Sequence, residues 1–88
     1  MLKVIRELSE RQVLIEQDGK NYLVSQSIEE IQPVETLVFK CDIEGNVSDW
    51  GEVGGEVGVG INTFLKRCLE EDKIIMPWLN QEQDDLPW

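Results

Sequence analysis

Residues 12–27 read QVLIEQDGKNYLVSQS, in which two segments of β-forming residues flank an Asp-Gly pair. In the first segment Val13 and Ile15 lie on one side of an alternating run, as in a strand with one buried face. The second segment contains tyrosine, leucine and valine in succession. An Asp-Gly pair between two such segments is a strong signal for a β-hairpin turn. The stretch therefore predicts a hairpin with strands at 12–16 and 21–27.

A second hairpin is predicted from residues 35–50, which read ETLVFKCDIEGNVSDW. Residues 35–42 have the composition of a strand, and residues 44–46 have that of a turn. We expect residues 46–50 to return as the partner strand. The alternation assigns one face of the first strand to Leu37, Phe39 and Cys41, and the other face to Thr36, Val38 and Lys40.

Three further segments have weaker signals. Near the N-terminus, Val4, Ile5 and Leu8 suit either the start of a strand or a short helix, and the sequence leaves both open. Residues 27–32 predict one helical turn, capped by Ser27 and ended by Pro33. Residues 51–60, GEVGGEVGVG, are half glycine, which predicts a mobile loop or an irregular sheet edge.

Residues 61–73 have the periodicity of an amphipathic helix, with apolar side chains at i, i+3, i+4, i+7 and i+8. We therefore predict an α+β fold: a small three- to five-stranded, mainly antiparallel sheet with one C-terminal helix packed on one face. Residues 1–79 would form this single domain, and residues 80–88 an acidic C-terminal tail. The predicted core comprises Val13, Ile15, Leu23, Leu37, Phe39, Phe64, Leu65, Cys68 and Leu69.

The charge of the chain restricts its partners. Its 88 residues include 18 acidic, 8 basic and no histidine residues, for a formal charge of −10. Direct binding to nucleic acid or to an anionic membrane requires a basic footprint, so we expect neither. Residues 1–20 have four acidic and four basic residues, whereas residues 21–60 have eight acidic and one basic residue, net −7. This field favours a basic partner, and acidity that serves solubility alone is the alternative.

The residue types also restrict the chemistry. The absence of histidine removes the commonest general base and metal ligand, together with every Ser–His and Cys–His pair. Cys41 and Cys68 lie within apolar patterns, which favours buried free thiols and leaves a single bridge open. We predict no catalytic residue, cofactor or metal site, and expect a protein that is not an enzyme. The N-terminal MLKVIRELSE has charges where a signal peptide is apolar, so we expect a cytoplasmic location.

The last five residues, Asp84-Asp85-Leu86-Pro87-Trp88, resemble the acidic tip of bacterial single-stranded-DNA-binding proteins. That tip is a run of Asp followed by Ile or Leu, Pro and a terminal Phe, and it docks on replication, recombination and repair enzymes. The resemblance implies that Trp88 anchors in an apolar pocket beside Leu86 and Pro87, while Asp84 and Asp85 face a basic rim. Trp in place of Phe is a departure. The rest of the chain lacks the basic, aromatic groove that single-strand binding requires.

Residues 35–50 loosely resemble small uncharacterised proteins of bacterial phages, in which a strand, an Asp-x-x-Gly turn and a strand ending in Asp-Trp follow one another. This resemblance covers about a fifth of the chain. It implies an origin in a phage or mobile element and a small α+β fold.

Three functions are compatible with these features. The first is a non-enzymatic acidic interaction protein that occupies a basic surface of a nucleic-acid-processing protein, as an inhibitor or DNA mimic. The second is a replication or recombination accessory factor recruited through the C-terminal tail. The third is a small structural or assembly protein that forms a homo-oligomer through an open sheet edge. For the first, the predicted partner-binding residues are Glu29, Glu30, Glu35, Asp42, Glu44, Asp49, Glu52 and Glu56.

Overall fold

The computed structural model describes residues 1–30, 32–48 and 50–75. These residues form five strands and one helix, in an α+β fold that confirms the predicted class. Neighbouring strands are all antiparallel and follow one another in sequence order, from β1 at one edge to β5 at the other. The elements are β1 Leu2–Ser9, β2 Gln12–Gln17, β3 Lys20–Gln26, β4 Glu35–Cys41, β5 Glu52–Val57 and α1 Ile61–Glu71.

The first predicted hairpin is confirmed. Gln17 and Lys20 are paired across a two-residue turn made by Asp18 and Gly19. Both turn residues have positive φ, 53° and 83°. A two-residue turn with positive φ at both positions matches the twist of the flanking strands, and glycine adopts such a φ without steric cost. The local turn chemistry therefore sets the register of β2 and β3.

Residues 2–9, which the sequence left open between strand and helix, form the edge strand β1. Its pairing with β2 shifts register twice, between Val4 and Arg6 and between Glu7 and Ser9. Each shift interrupts the alternation of side chains between the two faces. This interruption explains why no period-2 pattern is visible in the sequence of β1.

The main core lies between the sheet and α1. Phe64 and Cys68 are fully buried on the helix, and Val24 and Val38 are fully buried on the central strands. Leu69, which the helical stripe also assigned to the core, is 44% exposed. The apolar stripe of α1 is thus wider than the part of the helix that packs against the sheet, and the prediction that Leu69 belongs to the core is wrong. The buried cluster comprises Leu2, Val13, Ile15, Val24, Val38, Ile61, Phe64, Leu65, Cys68 and Ile74.

Residues of the sheet hold both ends of α1. At the N-terminus, Gly60 provides no side-chain cap, and the backbone N–H of Ile61 instead donates to Oε1 of Gln26 on β3 at 2.8 Å. At the C-terminus, Asp72 adopts a left-handed conformation, and its Oδ1 accepts a hydrogen bond from the backbone N–H of Leu2 at 2.7 Å. The first bond satisfies a backbone N–H that the helix end leaves free, and the second joins the residue after the helix to β1, so together they orient the helix across the sheet.

The opposite face of the sheet is also buried. Leu14, Leu23 and Phe39 lie there with exposures of 7% or less. Leu37, predicted in the core, is only half-buried, whereas its neighbours Thr36 and Val38 are fully buried under the helix side. The predicted alternation of β4 is confirmed, because Phe39 is buried on one face and Thr36 and Val38 are buried on the other. The predicted core is wrong in including Leu37 and in omitting Thr36 and Val38, because burial on both faces removes the polar-out half of the pattern.

Residues 42–48, 50 and 51 belong to the loop that connects β4 to β5 and contacts this second face. A Cβ added at Gly45 would be 2.9 Å from Cδ1 of Leu8 on β1. Nη2 of Arg6 donates to the carbonyl of Glu44 at 3.4 Å. At the end of the loop, Trp50 packs edge-on against Phe39 with ring centroids 5.0 Å apart. The loop thus reaches from β4 to β1 and back, and we name it the cover loop.

Two predicted elements are wrong. The described part of residues 27–32 forms a turn and no helix, because the Ser27 hydroxyl accepts the backbone N–H of Glu35 at 3.0 Å and cannot cap one. The described part of residues 46–50 is not a strand either. The Asp42 carboxylate accepts the N–H groups of Glu44 and Asn46, both at 2.9 Å, and so holds a turn at the predicted place. The chain does not return along β4 after this turn, because β3 and β5 are the strands that pair with β4.

The partner of β4 is instead the glycine-rich segment, which forms the edge strand β5 with one register shift between Val38 and Phe39 and so matches the expected irregular sheet edge. At Gly55, φ is +144°, and a Cβ there would lie 2.4 Å from the carbonyl oxygen of Thr36. Glycine is therefore required by the close approach of β5 to β4. The Thr36 hydroxyl then donates to the carbonyl of Val59 at 2.7 Å, which fixes the chain as it leaves the sheet towards α1.

Candidate protein-interaction surface

The strand order converts the uneven charge of the sequence into an uneven charge in space. Residues 1–20, with net charge 0, form β1, β2 and their turns. Residues 21–60, with net charge −7, form β3, β4, the cover loop and β5, because each strand lies beside its neighbour in sequence. We call this second part the acidic half. It contains all eight of the acidic residues predicted to bind a partner.

Three of these acidic residues lie where β4 begins. Glu29 and Glu30 are exposed in the turn before the strand, and Glu35 is exposed at its first position. Hydrogen bonds hold the backbone around them: Nε2 of Gln32 donates to the carbonyl of Glu29 at 2.6 Å, and the N–H of Ser27 donates to the carbonyl of Glu35 at 2.8 Å. The carboxylates therefore extend into solvent from an ordered turn.

Two more lie in the cover loop, where β4 ends. The Asp42 carboxylate accepts bonds from the loop backbone and from Nδ2 of Asn46, and the N–H of Asn46 contributes most to lowering its pKa below the ordinary value of 3.8. The carboxylate oxygens of Asp42 are thus occupied by hydrogen bonds within the loop. Glu44 is exposed, and its Oε1 lies 3.5 Å from Nδ2 of Asn46. The predicted residue Asp49 falls outside the described residues.

The last two belong to β5 and have different surroundings. Glu52 is exposed, whereas both oxygens of Glu56 lie 2.6 Å from Nη1 of Arg67 on α1. This bond raises the pKa of the Arg67 guanidinium above its ordinary value. Glu56 is therefore neutralised by the helix and contributes least of the set to an external field. The contact is tertiary, and no local pattern in the sequence indicates it.

These residues form two groups rather than one row. A strand rises about 3.3 Å per residue. The six steps from Glu35 to Cys41 therefore put the group at the start of β4 about 20 Å from the cover loop. Glu52 lies opposite Phe39 in the β4–β5 pairing, on the side of the cover loop. The structure thus brings Asp42, Glu44 and Glu52 towards one end and Glu29, Glu30 and Glu35 towards the other.

Trp50 is a feature that the sequence reasoning did not select as a site. Its side chain is 62% exposed although it packs on Phe39. Ile43, in the same loop, is 61% exposed. Tryptophan is enriched among the residues that dominate binding energy. The available signal was a tryptophan placed between acidic residues in a polar loop.

The thiols and grooves offer little reactive chemistry. Cys41 and Cys68 are both free, and burial raises the pKa of each thiol above its ordinary value, which keeps both protonated at neutral pH.

Two grooves, of about 290 and 380 Å³, flank Lys40 and Cys41. Asp42 is the carboxylate among their lining residues, and its oxygens already accept loop N–H groups. Within the described ranges, no group of three His, Cys, Asp or Glu residues could hold a metal ion.

The tail residues Asp84, Asp85, Leu86, Pro87 and Trp88 lie outside the described residues, as does the predicted domain boundary at 79/80. In the part of the chain that the structure describes, no helix has the length and apolar character needed to cross a membrane.

Comparison of the chain with protein-family models, with curated proteins and with solved structures gives no match.

Proposed function

We propose that this protein is a non-enzymatic interaction protein whose acidic half binds a basic surface of a nucleic-acid-processing protein. We place it in the cytoplasm and consider it phage-encoded. The observation that supports the proposal most is the strand order, which keeps residues 21–60, with a net charge of −7 in the sequence, together in β3 to β5 and their connections. Of the described residues among them, Arg67 on α1 offsets only the charge of Glu56. Such a field speeds association with a basic partner and makes the complex sensitive to salt.

The arrangement of the acidic residues favours inhibition by covering a basic surface over imitation of a phosphate backbone. Duplex DNA presents closely and evenly spaced charges. Here the carboxylates form two groups separated by about the length of β4, roughly 20 Å. Two separated acidic groups suit a partner with basic residues on both sides of a cleft.

The proposal can be tested with two triple variants of equal charge. Glu29→Gln, Glu35→Gln and Glu52→Gln remove three exposed carboxylates from the acidic half. Glu7→Gln, Glu10→Gln and Glu70→Gln remove three exposed carboxylates from β1, the turn after it and the helix. Wild type and both variants are immobilised for capture from bacterial lysate at about 0.1 M and about 1 M salt, which shortens the screening length from about 10 to 3 Å.

We expect the wild type to capture a basic nucleic-acid-processing protein, identified by mass spectrometry, at the lower salt only. The first triple variant should bind that protein about tenfold more weakly, from about 0.5 kcal/mol per exposed charge pair. The second should bind within about twofold of wild type. Equal losses in both variants would show that net charge alone is responsible and would refute the proposal. A chain ending at Gln83 is included, because capture that depends on the last five residues would support recruitment through the tail instead.

A further inference from the structure

Trp50 is exposed, yet its position is fixed. Its ring contacts Phe39 at a centroid distance of 5.0 Å and an interplanar angle of 67°. In an edge-to-face pair of this kind, Phe39 covers at most one face of the indole. With 62% of the residue exposed, a second aromatic face is left for a partner. Because Phe39 belongs to the central part of the sheet, little conformational entropy is lost when a partner binds the indole.

A carboxylate lies next to this ring. Glu52 is the register partner of Phe39, so its side chain leaves the sheet on the same face as the ring on which Trp50 packs. Glu52 is exposed and has no salt bridge among the described residues. Glu44 is exposed in the same cover loop. The face that holds the Phe39–Trp50 pair therefore also presents the exposed Glu52 carboxylate.

The combination of an open indole face with a neighbouring carboxylate matches the chemistry of one side chain in particular. Arginine has a planar guanidinium that stacks on aromatic faces and simultaneously donates two hydrogen bonds to a carboxylate. Lysine offers a point charge that gains less from the aromatic plane. We infer that Trp50 and Glu52 form an arginine-binding site, through which the acidic half engages an exposed arginine of a basic protein partner.

This inference rests on the proposed function and makes it more specific. The acidic half attracts basic protein surfaces in general, and the Trp50 site favours those basic surfaces that expose an arginine. It also identifies which of the two acidic groups lies at the centre of the interface. The cover-loop group combines apolar and charged surface, as the centres of protein interfaces do.

The test uses hexa-arginine and hexa-lysine peptides as probes and isothermal titration calorimetry with the full chain. Trp50→Leu keeps an apolar side chain over Phe39 but removes the aromatic face. Ile43→Ala is the matched control, because it removes a similarly exposed apolar side chain from the same loop. Circular dichroism and thermal unfolding of both variants establish that they are folded.

We expect wild type to bind hexa-arginine about two- to fivefold more tightly than hexa-lysine, the range typical of an exposed cation–π contact. Trp50→Leu should abolish this preference while leaving lysine binding within about twofold, and Ile43→Ala should retain it. In NMR spectra, the indole N–H signal that disappears in Trp50→Leu should be the one that hexa-arginine shifts in wild type. Equal binding of the two peptides to wild type, no binding of either, or an unshifted Trp50 signal would overturn the inference.

The two proposals fail in different ways. If lysate capture depends on the acidic half but is unchanged in Trp50→Leu, the proposed function stands and the arginine site is refuted. If hexa-arginine binding depends on Trp50 but no basic protein is captured, the arginine site stands and the proposed function is refuted.

Discussion

Replacement of Phe64 by alanine tests the position of the helix on the sheet. Phe64 is fully buried between α1 and the sheet. A buried aromatic side chain removes at least ~150 Å² from water, worth about 4 kcal/mol at ~25 cal/mol per Å². Alanine keeps part of this area but leaves a cavity, so the expected loss in the free energy of unfolding is about 3–5 kcal/mol. A domain of 88 residues has about 4–13 kcal/mol in total.

The loss is measured by urea unfolding followed by far-ultraviolet circular dichroism. Leu69→Ala is the matched control, because Leu69 belongs to the same apolar stripe in sequence but is 44% exposed. It should cost less than about 1 kcal/mol. Because Phe64→Ala removes much of the total, Phe64→Leu is measured as well and should cost about 1 kcal/mol. A loss below about 1 kcal/mol for Phe64→Ala, or a larger loss for Leu69→Ala, would refute the assigned helix face.

Two further predictions concern hydrogen bonds at the N-terminus of α1 and at the end of β4. Gln26→Ala removes the acceptor of the Ile61 N–H and should lower the free energy of unfolding in urea by about 1–2 kcal/mol. The control, Gln17→Ala, breaks an exposed bond at the other end of the helix and should lower it by less than about 0.5 kcal/mol. Equal losses in the two variants would contradict the capping role of Gln26. The pKa of Asp42 is lowered below its ordinary value of 3.8, so its hydrogen bonds stabilise the loop at pH values above 3.8. This stabilisation is lost as the pH falls below 3.8 and through the pKa of Asp42 in the folded protein. The amide signals of Glu44 and Asn46 should therefore shift in an NMR titration only at acidic pH, and a midpoint above 3.8 would contradict this.

The parts of the fold that could be predicted from sequence are those fixed by local chemistry. The Asp18-Gly19 turn sets its own register, and the spacing from Ile61 to Cys68 corresponds to one face of a helix. The strand β5 could not be predicted, because its glycines are needed for the close approach to Thr36, and that approach exists only after β4 and β5 pair. The alternation in β4 assigns Val38 and Phe39 to opposite faces correctly, but it does not indicate that both faces are buried.

The candidate surface shows the same division. The acidic half could be predicted from composition, because a meander keeps sequence neighbours together in space. The pairing of Glu56 with Arg67 could not, since the two residues meet only when α1 packs on the sheet. Likewise, the conformation of the cover loop determines that Asp42 forms hydrogen bonds within the loop and that Trp50 is exposed, and neither follows from the local sequence.

The way in which the sheet holds α1 has a consequence for how the molecule opens. Its N-terminal bond joins residues 35 positions apart, and the bond from Leu2 to Asp72 joins residues 70 positions apart. The helix makes these two contacts only after distant strands have assembled, so it forms together with the sheet during folding. Its backbone amides should then exchange with solvent deuterium only as fast as the strand amides do. Helix and sheet would behave as a single cooperative unit, without a separately fraying helix.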